Sequence, residues 1–177
     1  MKKELIDVMI TEAAIQKRVE ELGEEISRDY SGQKVLLIGI LKGAVVLLAD
    51  LMRKITIDME IDFIAVSSYG DGTESSGVVK IDKDVGQSIE GKHVILVEDI
   101  LDTGTTLSSL SKHFAKGNPE SLKICVLLDK PERRTKTDVR ADYIGFTIPD
   151  KFVVGYGLDY AQRYRQVPYI GVLRFEE

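Results

Sequence analysis

Hydrophobic and polar residues follow two different patterns along the chain, one typical of helices and one typical of buried strands. The first helical period relates Ile15, Val19, Leu22 and Ile26, and Thr11 just before it can cap a helix. Continuous apolar runs, in contrast, are typical of strands that are buried on both faces of a sheet. The pattern therefore predicts a layered protein of helices and strands.

The order of these segments predicts the fold class. Helices are predicted over residues 43–53 and from about Thr105, in addition to the first one. Strands are predicted over residues 35–40, 61–69, 78–81, 93–98, 122–128, 142–148, 152–156 and 169–173. Strands that alternate with helices form βαβ units. We expect an α/β protein with a mostly parallel central sheet flanked by helices, and a single domain over residues 1–177.

Composition and charge narrow the class of protein. Hydrophobic residues at 44% and charged residues at 30% are ordinary for a globular chain, and the net charge of -5 argues against a general nucleic-acid binder. The longest apolar stretch, residues 35–52, is interrupted by Lys42, Gly43 and Asp50, so we expect no membrane span. The N-terminal segment lacks the apolar core of a signal peptide. We expect a cytoplasmic protein whose one cysteine, Cys125, is buried and inert.

The segment VILVEDILDTGTTL, residues 94–107, carries the strongest chemical signal. We predict a buried strand that ends at the adjacent carboxylates Glu98 and Asp99, followed by Asp102 in a turn. The next residues begin a helix, whose N-terminal N–H groups and dipole favour a phosphate; they are Thr103, Gly104, Thr105 and Thr106. Paired carboxylates suit sugar hydroxyls, or a Mg²⁺ held partly through water. Ligands of parallel sheets bind at the carboxyl ends of the strands, so we expect the site there.

The sequence VEDILDTGTTL closely resembles the phosphoribosyl-pyrophosphate-binding motif of the type I phosphoribosyltransferases. LKGA, SSYG, LLDKPERR and PDKFVVGYGLDYAQRYR resemble successive segments of the bacterial hypoxanthine phosphoribosyltransferases, over nearly the full chain. The resemblance implies transfer of a 5-phosphoribosyl group from phosphoribosyl pyrophosphate to hypoxanthine or guanine, giving IMP or GMP. It also implies a homodimer or homotetramer, a small hood, and a flexible lid that begins at Ser68 and Tyr69 and runs to about Ile81.

The resemblance further implies roles for the residues around the predicted strand and turn. Glu98 and Asp99 would hold the ribose hydroxyls and Mg²⁺, and Asp102 would accept the proton at purine N7. Residues 103–106 would cradle the 5-phosphate.

For the purine, the resemblance implies three residues. Lys130 would hydrogen-bond the exocyclic oxygen O6, and because an ammonium group only donates, it favours a 6-oxo over a 6-amino purine. Phe152 would stack on the base, and the Val153 backbone would read its edge.

For the pyrophosphate, the resemblance implies Lys42 and Gly43 on one side and Arg165 on the other. Asp159 would bind a second Mg²⁺. In the family the peptide bond that matches Leu41–Lys42 can be cis.

Two alternatives stay open at this stage. The base could be another one; Lys130 and Phe152 argue against adenine and pyrimidines, but xanthine also carries a 6-oxo group. Some relatives regulate transcription or bind RNA instead of catalysing transfer. The acidic net charge and the retained Asp102 favour an enzyme, and we expect no nucleic-acid partner.

Overall fold

The computed structural model describes residues 4–68 and 79–175. The elements in chain order are β1 (Glu4–Ile10), α1 (Glu12–Asp29), β2 (Val35–Leu41), α2 (Val45–Met52), β3 (Met59–Ser68), β4 (Val79–Lys83), β5 (His93–Leu101), α3 (Thr105–Ala115), β6 (Ser121–Asp129), a 3₁₀ turn (Pro131–Arg133), β7 (Tyr143–Thr147), β8 (Val153–Val154) and β9 (Ile170–Phe175). Within these described ranges no helix is both long and apolar enough to cross a membrane.

Six strands form the central sheet, in the order β4-β3-β2-β5-β6-β7. The four pairs from β3 to β7 are parallel, and only β4 runs antiparallel to its neighbour β3. The predicted α/β class with a mostly parallel central sheet is therefore confirmed.

Two hydrophobic cores cover the two faces of this sheet. Along β2, Leu37 belongs to the core shared with α1 and α2, whereas Leu36 and Ile38 belong to the core shared with α3. Successive side chains of a strand point to opposite faces, so a strand between two helical layers must be apolar throughout. Helix α1 begins as predicted, because the Thr11 hydroxyl accepts a hydrogen bond from the Ala14 N–H at 3.2 Å.

A second sheet of three antiparallel strands, β1-β9-β8, forms the hood that we expected. The predicted strands at 152–156 and 169–173 belong to this hood and not to the central sheet, and β1 was not predicted. The pairing of β1 with β9 joins Glu4 to Phe175, at opposite ends of the chain. Such a contact leaves little local signal in the sequence.

Strand β5 differs from the prediction at its C-terminal end. It does not end at Glu98 but continues to Leu101, because β6 continues to pair with it through Leu128 and Asp129. Glu98 and Asp99 are therefore held within a paired strand, and the turn begins only at Asp102.

Candidate active site

A cleft of about 200 Å³ opens at the carboxyl end of β5, as expected for a parallel sheet. Its lining runs continuously from Glu98 through the turn to Leu107 in the first turn of α3. The segment that carries the strongest sequence signal therefore forms one concave surface.

The two carboxylates of β5 are adjacent; Glu98 is buried and Asp99 is half-buried. The Asp99 N–H donates to Glu98 Oε1 at 3.1 Å, and the Ile100 N–H donates to Asp99 Oδ1 at 2.7 Å. Burial, reinforced by the charge of Asp99, raises the pKa of Glu98 well above its ordinary value. Burial also raises the pKa of Asp99, although the Arg165 guanidinium opposes this shift. A cation between two such acids would stabilise both in their ionised forms.

The loop before α3 has the geometry of an anion site. Gly104 is the N-cap residue at φ 89° and has no side chain to cap the helix; the Thr103 hydroxyl accepts a long hydrogen bond from the Thr105 N–H at 3.4 Å. The first N–H groups of a helix have no intrahelical partner, so an anion can accept their hydrogen bonds. The hydroxyls of Thr103 and Thr105 lie 3.2 Å apart and face each other.

Only glycine suits position 104. A left-handed φ is costly for a residue with a Cβ atom, and a Cβ here would lie 2.8 Å from Val139 Cγ1. Position 104 is thus fixed by both backbone conformation and packing, which keeps the loop open to a ligand.

Asp102 has one oxygen that the protein leaves without a hydrogen bond. Its Oδ1 is buried and, among the described residues, accepts no hydrogen bond; Arg133 Nε lies 3.5 Å away. The ion pair with Arg133 offsets part of the cost of burying this oxygen, and the Asp102 side chain as a whole is 39% exposed at the cleft, so its carboxylate can meet a ligand.

Lys42 and Gly43 follow β2, and Gly43 lies against Asp99 at the edge of the cleft. The Leu41–Lys42 peptide bond is cis, as the family resemblance implied. A Cβ atom at position 43 would overlap Asp99 Oδ2, and one at Gly157 would overlap the Gly43 carbonyl oxygen. The structure thus places Gly43 against the Asp99 carboxylate, whereas the Lys42 ammonium group contacts Gln162 Oε1 at 3.4 Å.

Arg165 closes the other side of this region. Its Nη1 donates to the Gly157 carbonyl at 2.6 Å, and its Nη2 lies 3.0 Å from Asp159 Oδ1. The other Asp159 oxygen accepts from the Gln162 N–H at 2.8 Å. Both oxygens of Asp159 are therefore engaged inside the protein, and its assignment to a metal stays a prediction.

The predicted purine residues lie on the edge of the hood and beyond β6. Lys130 is 6% exposed, and its ammonium group donates to the Lys151 carbonyl at 2.9 Å. Phe152 is 54% exposed and meets Tyr160 edge to face, with centroids 5.8 Å apart. A large aromatic side chain exposed on the surface is unusual and offers a face on which a planar ligand could stack. Val153 is buried and pairs with Val172 in the hood sheet.

The predicted lid is not tested by the structure. Ser68 is the last residue of β3, while Tyr69 and residues 70–78 lie outside the described part of the chain.

Two residues at the site were not predicted. Arg134 donates from Nε to the Asp102 carbonyl at 3.0 Å, and Gln162 Oε1 accepts from Lys42 at 3.4 Å and from Arg165 at 3.3 Å. Both belong to segments that carry the family resemblance, LLDKPERR and PDKFVVGYGLDYAQRYR, but nothing in their spacing indicated these contacts.

Comparison with known proteins defines the family to which this chain belongs. The family model of the phosphoribosyl transferase domain matches residues 9–161, and the chain belongs to this family. It is 52% identical to the hypoxanthine-guanine phosphoribosyltransferase of Bacillus subtilis over 98% of this chain and 96% of that protein. Its identity to the Staphylococcus aureus enzyme of the same name is 50%, over 99% of this chain and 98% of that protein.

A solved structure agrees with these relatives. The hypoxanthine-guanine phosphoribosyltransferase of Bacillus anthracis superposes with a TM-score of 0.89 at 51% identity, covering 94% of this chain and 97% of that one. The resemblance to bacterial hypoxanthine phosphoribosyltransferases stated from the sequence is thereby confirmed.

Proposed function

We propose that the protein is a purine salvage enzyme that transfers the 5-phosphoribosyl group of phosphoribosyl pyrophosphate to hypoxanthine and guanine, giving IMP or GMP and pyrophosphate. The observation that carries the proposal is one cleft in which two adjacent carboxylates, Asp102 and the N-terminus of α3 follow one another along the chain. The names of relatives that are half identical over the whole chain support the same reaction.

The phosphoribosyl group would be held along the cleft. The N–H groups and hydroxyls of residues 103–106 would bind the 5-phosphate, helped by the dipole of α3. Glu98 and Asp99 would then face the ribose hydroxyls, for which ionised carboxylates are strong acceptors. Such an arrangement would hold the ribose in one orientation, which is the main requirement for transfer at C1′.

The purine would be selected by Lys130 and Phe152. A buried ammonium group can only donate hydrogen bonds. It therefore favours a base with an acceptor such as O6 and cannot pair with the amino group of adenine. The exposed ring of Phe152 offers a stacking surface, and the backbone of Val153 would read the edge of the base.

The reaction breaks the bond between C1′ and a pyrophosphate oxygen and forms a bond between C1′ and the purine nitrogen. Lys42, the Gly43 N–H and Arg165 would neutralise the charge that develops on the departing pyrophosphate. Asp102, whose side chain is 39% exposed where it lines the cleft, would accept the proton at N7.

The donor set fits Mg²⁺. In the described part of the chain no group of three His, Cys, Asp or Glu side chains forms a metal cage, so the ion would be shared with substrate oxygens and water. Glu98 and Asp99 are the residues that would hold it; Asp159 is the candidate for a second ion. When bound, Mg²⁺ would neutralise pyrophosphate and help to fix the ribose hydroxyls.

The proposal includes the cytoplasm as the location and a homodimer or homotetramer as the assembly. The support is the resemblance to bacterial enzymes and the absence of a membrane-spanning helix among the described residues.

The experiment is an assay of nucleotide formation from phosphoribosyl pyrophosphate and Mg²⁺ with hypoxanthine, guanine, xanthine and adenine in parallel. We expect turnover with the 6-oxopurines and little with adenine. Asp102→Ala should lose about 100-fold or more in kcat, whereas Asp58→Ala, with a side chain 74% exposed, should match the wild type. No turnover with any base would contradict the proposal and direct attention to RNA binding.

A further inference from the structure

Arg134 connects the end of β5, the turn after it and the end of β6. Its Nε donates to the Asp102 carbonyl at 3.0 Å, and its Nη2 lies 3.4 Å from the Leu101 carbonyl oxygen. The same Nη2 forms a short ion pair with Asp129, the last residue of β6. Both side chains are mostly buried, at 18% and 14% exposed. One guanidinium group therefore links the carbonyl groups of Leu101 and Asp102, in the wall of the cleft, to the carboxylate of Asp129 at the end of β6.

The contacts of Arg134 extend to the phosphate loop. The stem of Arg134 packs against Gly104: a Cβ atom added at position 104 would lie only 3.2 Å from Arg134 Cδ. The next two residues continue the support, since the N–H groups of Thr135 and Lys136 donate to the Thr103 carbonyl at 3.0 and 3.1 Å. The segment 134–136 thus fixes the backbone from Leu101 to Gly104 from outside the cleft.

We propose that Arg134, held by Asp129, is the positioning residue that sets the orientation of Asp102 and of the phosphate loop for transfer. The inference rests on the proposed function. Arg134 itself faces backbone carbonyls, so it acts on the reaction through the turn.

The planar guanidinium group is what this task requires. It presents several donors in a fixed fork, and so it can hold two carbonyls and a carboxylate at once, whereas a lysine ammonium is a compact charge on a flexible stem. Arg134→Lys keeps the charge and removes the fork. We expect it to lose about 10- to 100-fold in kcat, because a displacement of about 1 Å at the reacting groups is sufficient for such losses.

The test compares Arg134→Lys, Arg134→Ala and Asp129→Asn with the wild type. Arg140→Gln is the matched control, because Arg140 is an exposed arginine in the loop between β6 and β7. For each variant, kcat and the KM values for phosphoribosyl pyrophosphate and hypoxanthine are measured, and a thermal unfolding curve confirms the fold. We expect a lower kcat and a higher KM for phosphoribosyl pyrophosphate, because these variants displace the turn that carries Asp102 and the phosphate loop.

Two further readouts separate positioning from a merely structural role. Millimolar guanidinium should restore part of the activity of Arg134→Ala but not that of Asp102→Ala. In the Asp102→Ala background, Arg134→Lys should cost much less in kcat than it does in the wild type, since residues that act as a unit are not additive. A full, additive loss in that background, or a wild-type kcat for Arg134→Lys, would overturn the inference.

The inference and the proposed function fail in different ways. If the wild type makes no nucleotide, the proposed function fails. The binding of phosphoribosyl pyrophosphate, measured by calorimetry, then still tests the positioning role: weaker binding by Arg134→Lys than by Arg140→Gln supports it, and equal binding contradicts it.

Discussion

Gly43 and Asp99 approach each other so closely that a single added carbon at position 43 would overlap Asp99 Oδ2. The backbone after β2 and the carboxylate of β5 thus occupy adjoining space in neighbouring strands of the sheet. Nothing larger than a hydrogen atom fits between them. The position of this carboxylate is therefore set in part by the absence of a side chain on β2's C-terminal turn.

Replacement of Gly43 by alanine should displace the Asp99 carboxylate. We expect kcat/KM for phosphoribosyl pyrophosphate to fall by about 100-fold, because misplacement of a ligand group by about 1 Å is costly. Gly86→Ala is the control, since a Cβ there lies 3.9 Å from its nearest neighbour, an ordinary contact. Steady-state kinetics measure the effect, and equal activities of the two variants would contradict the assignment of Asp99.

Lys130→Met should weaken the preference for 6-oxopurines. The substitution removes the ammonium donor from a buried site, and a hydrogen bond to a charged group is worth about 1.5–3 kcal/mol, or roughly 10- to 100-fold. We expect kcat/KM to fall by this factor for hypoxanthine but not for adenine. Lys151→Met is the matched control, because Lys151 contributes only its carbonyl oxygen to this contact. An unchanged ratio of the two bases would show that another group recognises O6.

Cys125 should be inert in the folded protein. Burial raises the pKa of its thiol to about 12, so at pH 8 only roughly one molecule in ten thousand carries a thiolate. A chromogenic disulfide reagent should therefore react with one thiol per chain in urea and with almost none in buffer. Rapid reaction in buffer would mean that the core around β6 opens readily.

The raised pKa of the Cys125 thiol should also make the stability of the protein depend on pH. The folded state keeps the proton to a higher pH than the unfolded chain, whose thiol has a pKa near 8.5. The stability that the buried, protonated thiol gives the folded state is therefore complete below about pH 8.5. Above this pH the thiol of the unfolded chain ionises first, and the free energy of unfolding falls as the pH rises towards 12. Urea unfolding between pH 8 and 10 should show a decline that is smaller in Cys125→Ala; parallel curves would exclude this source of the pH dependence.

The central sheet could be predicted because its middle strands, β2 and β5, and most of β6 are apolar runs. Runs such as residues 35–40 and 122–128 leave no choice of face, since both faces are covered. Strand β1 could not be predicted in this way. Val8 is 55% exposed, and the pairing of β1 with β9 joins the two ends of the chain.

In the candidate site, too, the residues of one local motif could be predicted, whereas contacts between distant segments could not. Asp102 and residues 103–106 were predicted because their chemistry lies in one short motif. The roles of Arg134 and Gln162 depend on carbonyls and cations brought by other elements, so no local spacing indicates them. For Phe152, the apolar pattern alone favours the core, whereas the family resemblance implies a place at the base; its exposure excludes the core, and its role at the base stays a prediction.

Gln162→Glu should weaken the grip on pyrophosphate. The amide oxygen of Gln162 is a neutral acceptor shared by Lys42 and Arg165, and a carboxylate there would form an ion pair with both cations. Each exposed pair is worth about 0.2–1 kcal/mol, so the KM for phosphoribosyl pyrophosphate should rise roughly three- to tenfold. Added salt should reduce this difference, because it screens exposed charges.

Gln162→Ala is the matched comparison for this variant. It removes the acceptor without adding a charge, so its KM for phosphoribosyl pyrophosphate should stay within about twofold of the wild type. Inhibition by pyrophosphate, measured for all three proteins, should follow the same order. If the carboxylate variant binds pyrophosphate as tightly as the wild type at low salt, Lys42 and Arg165 do not form the pyrophosphate site, and that assignment must be abandoned.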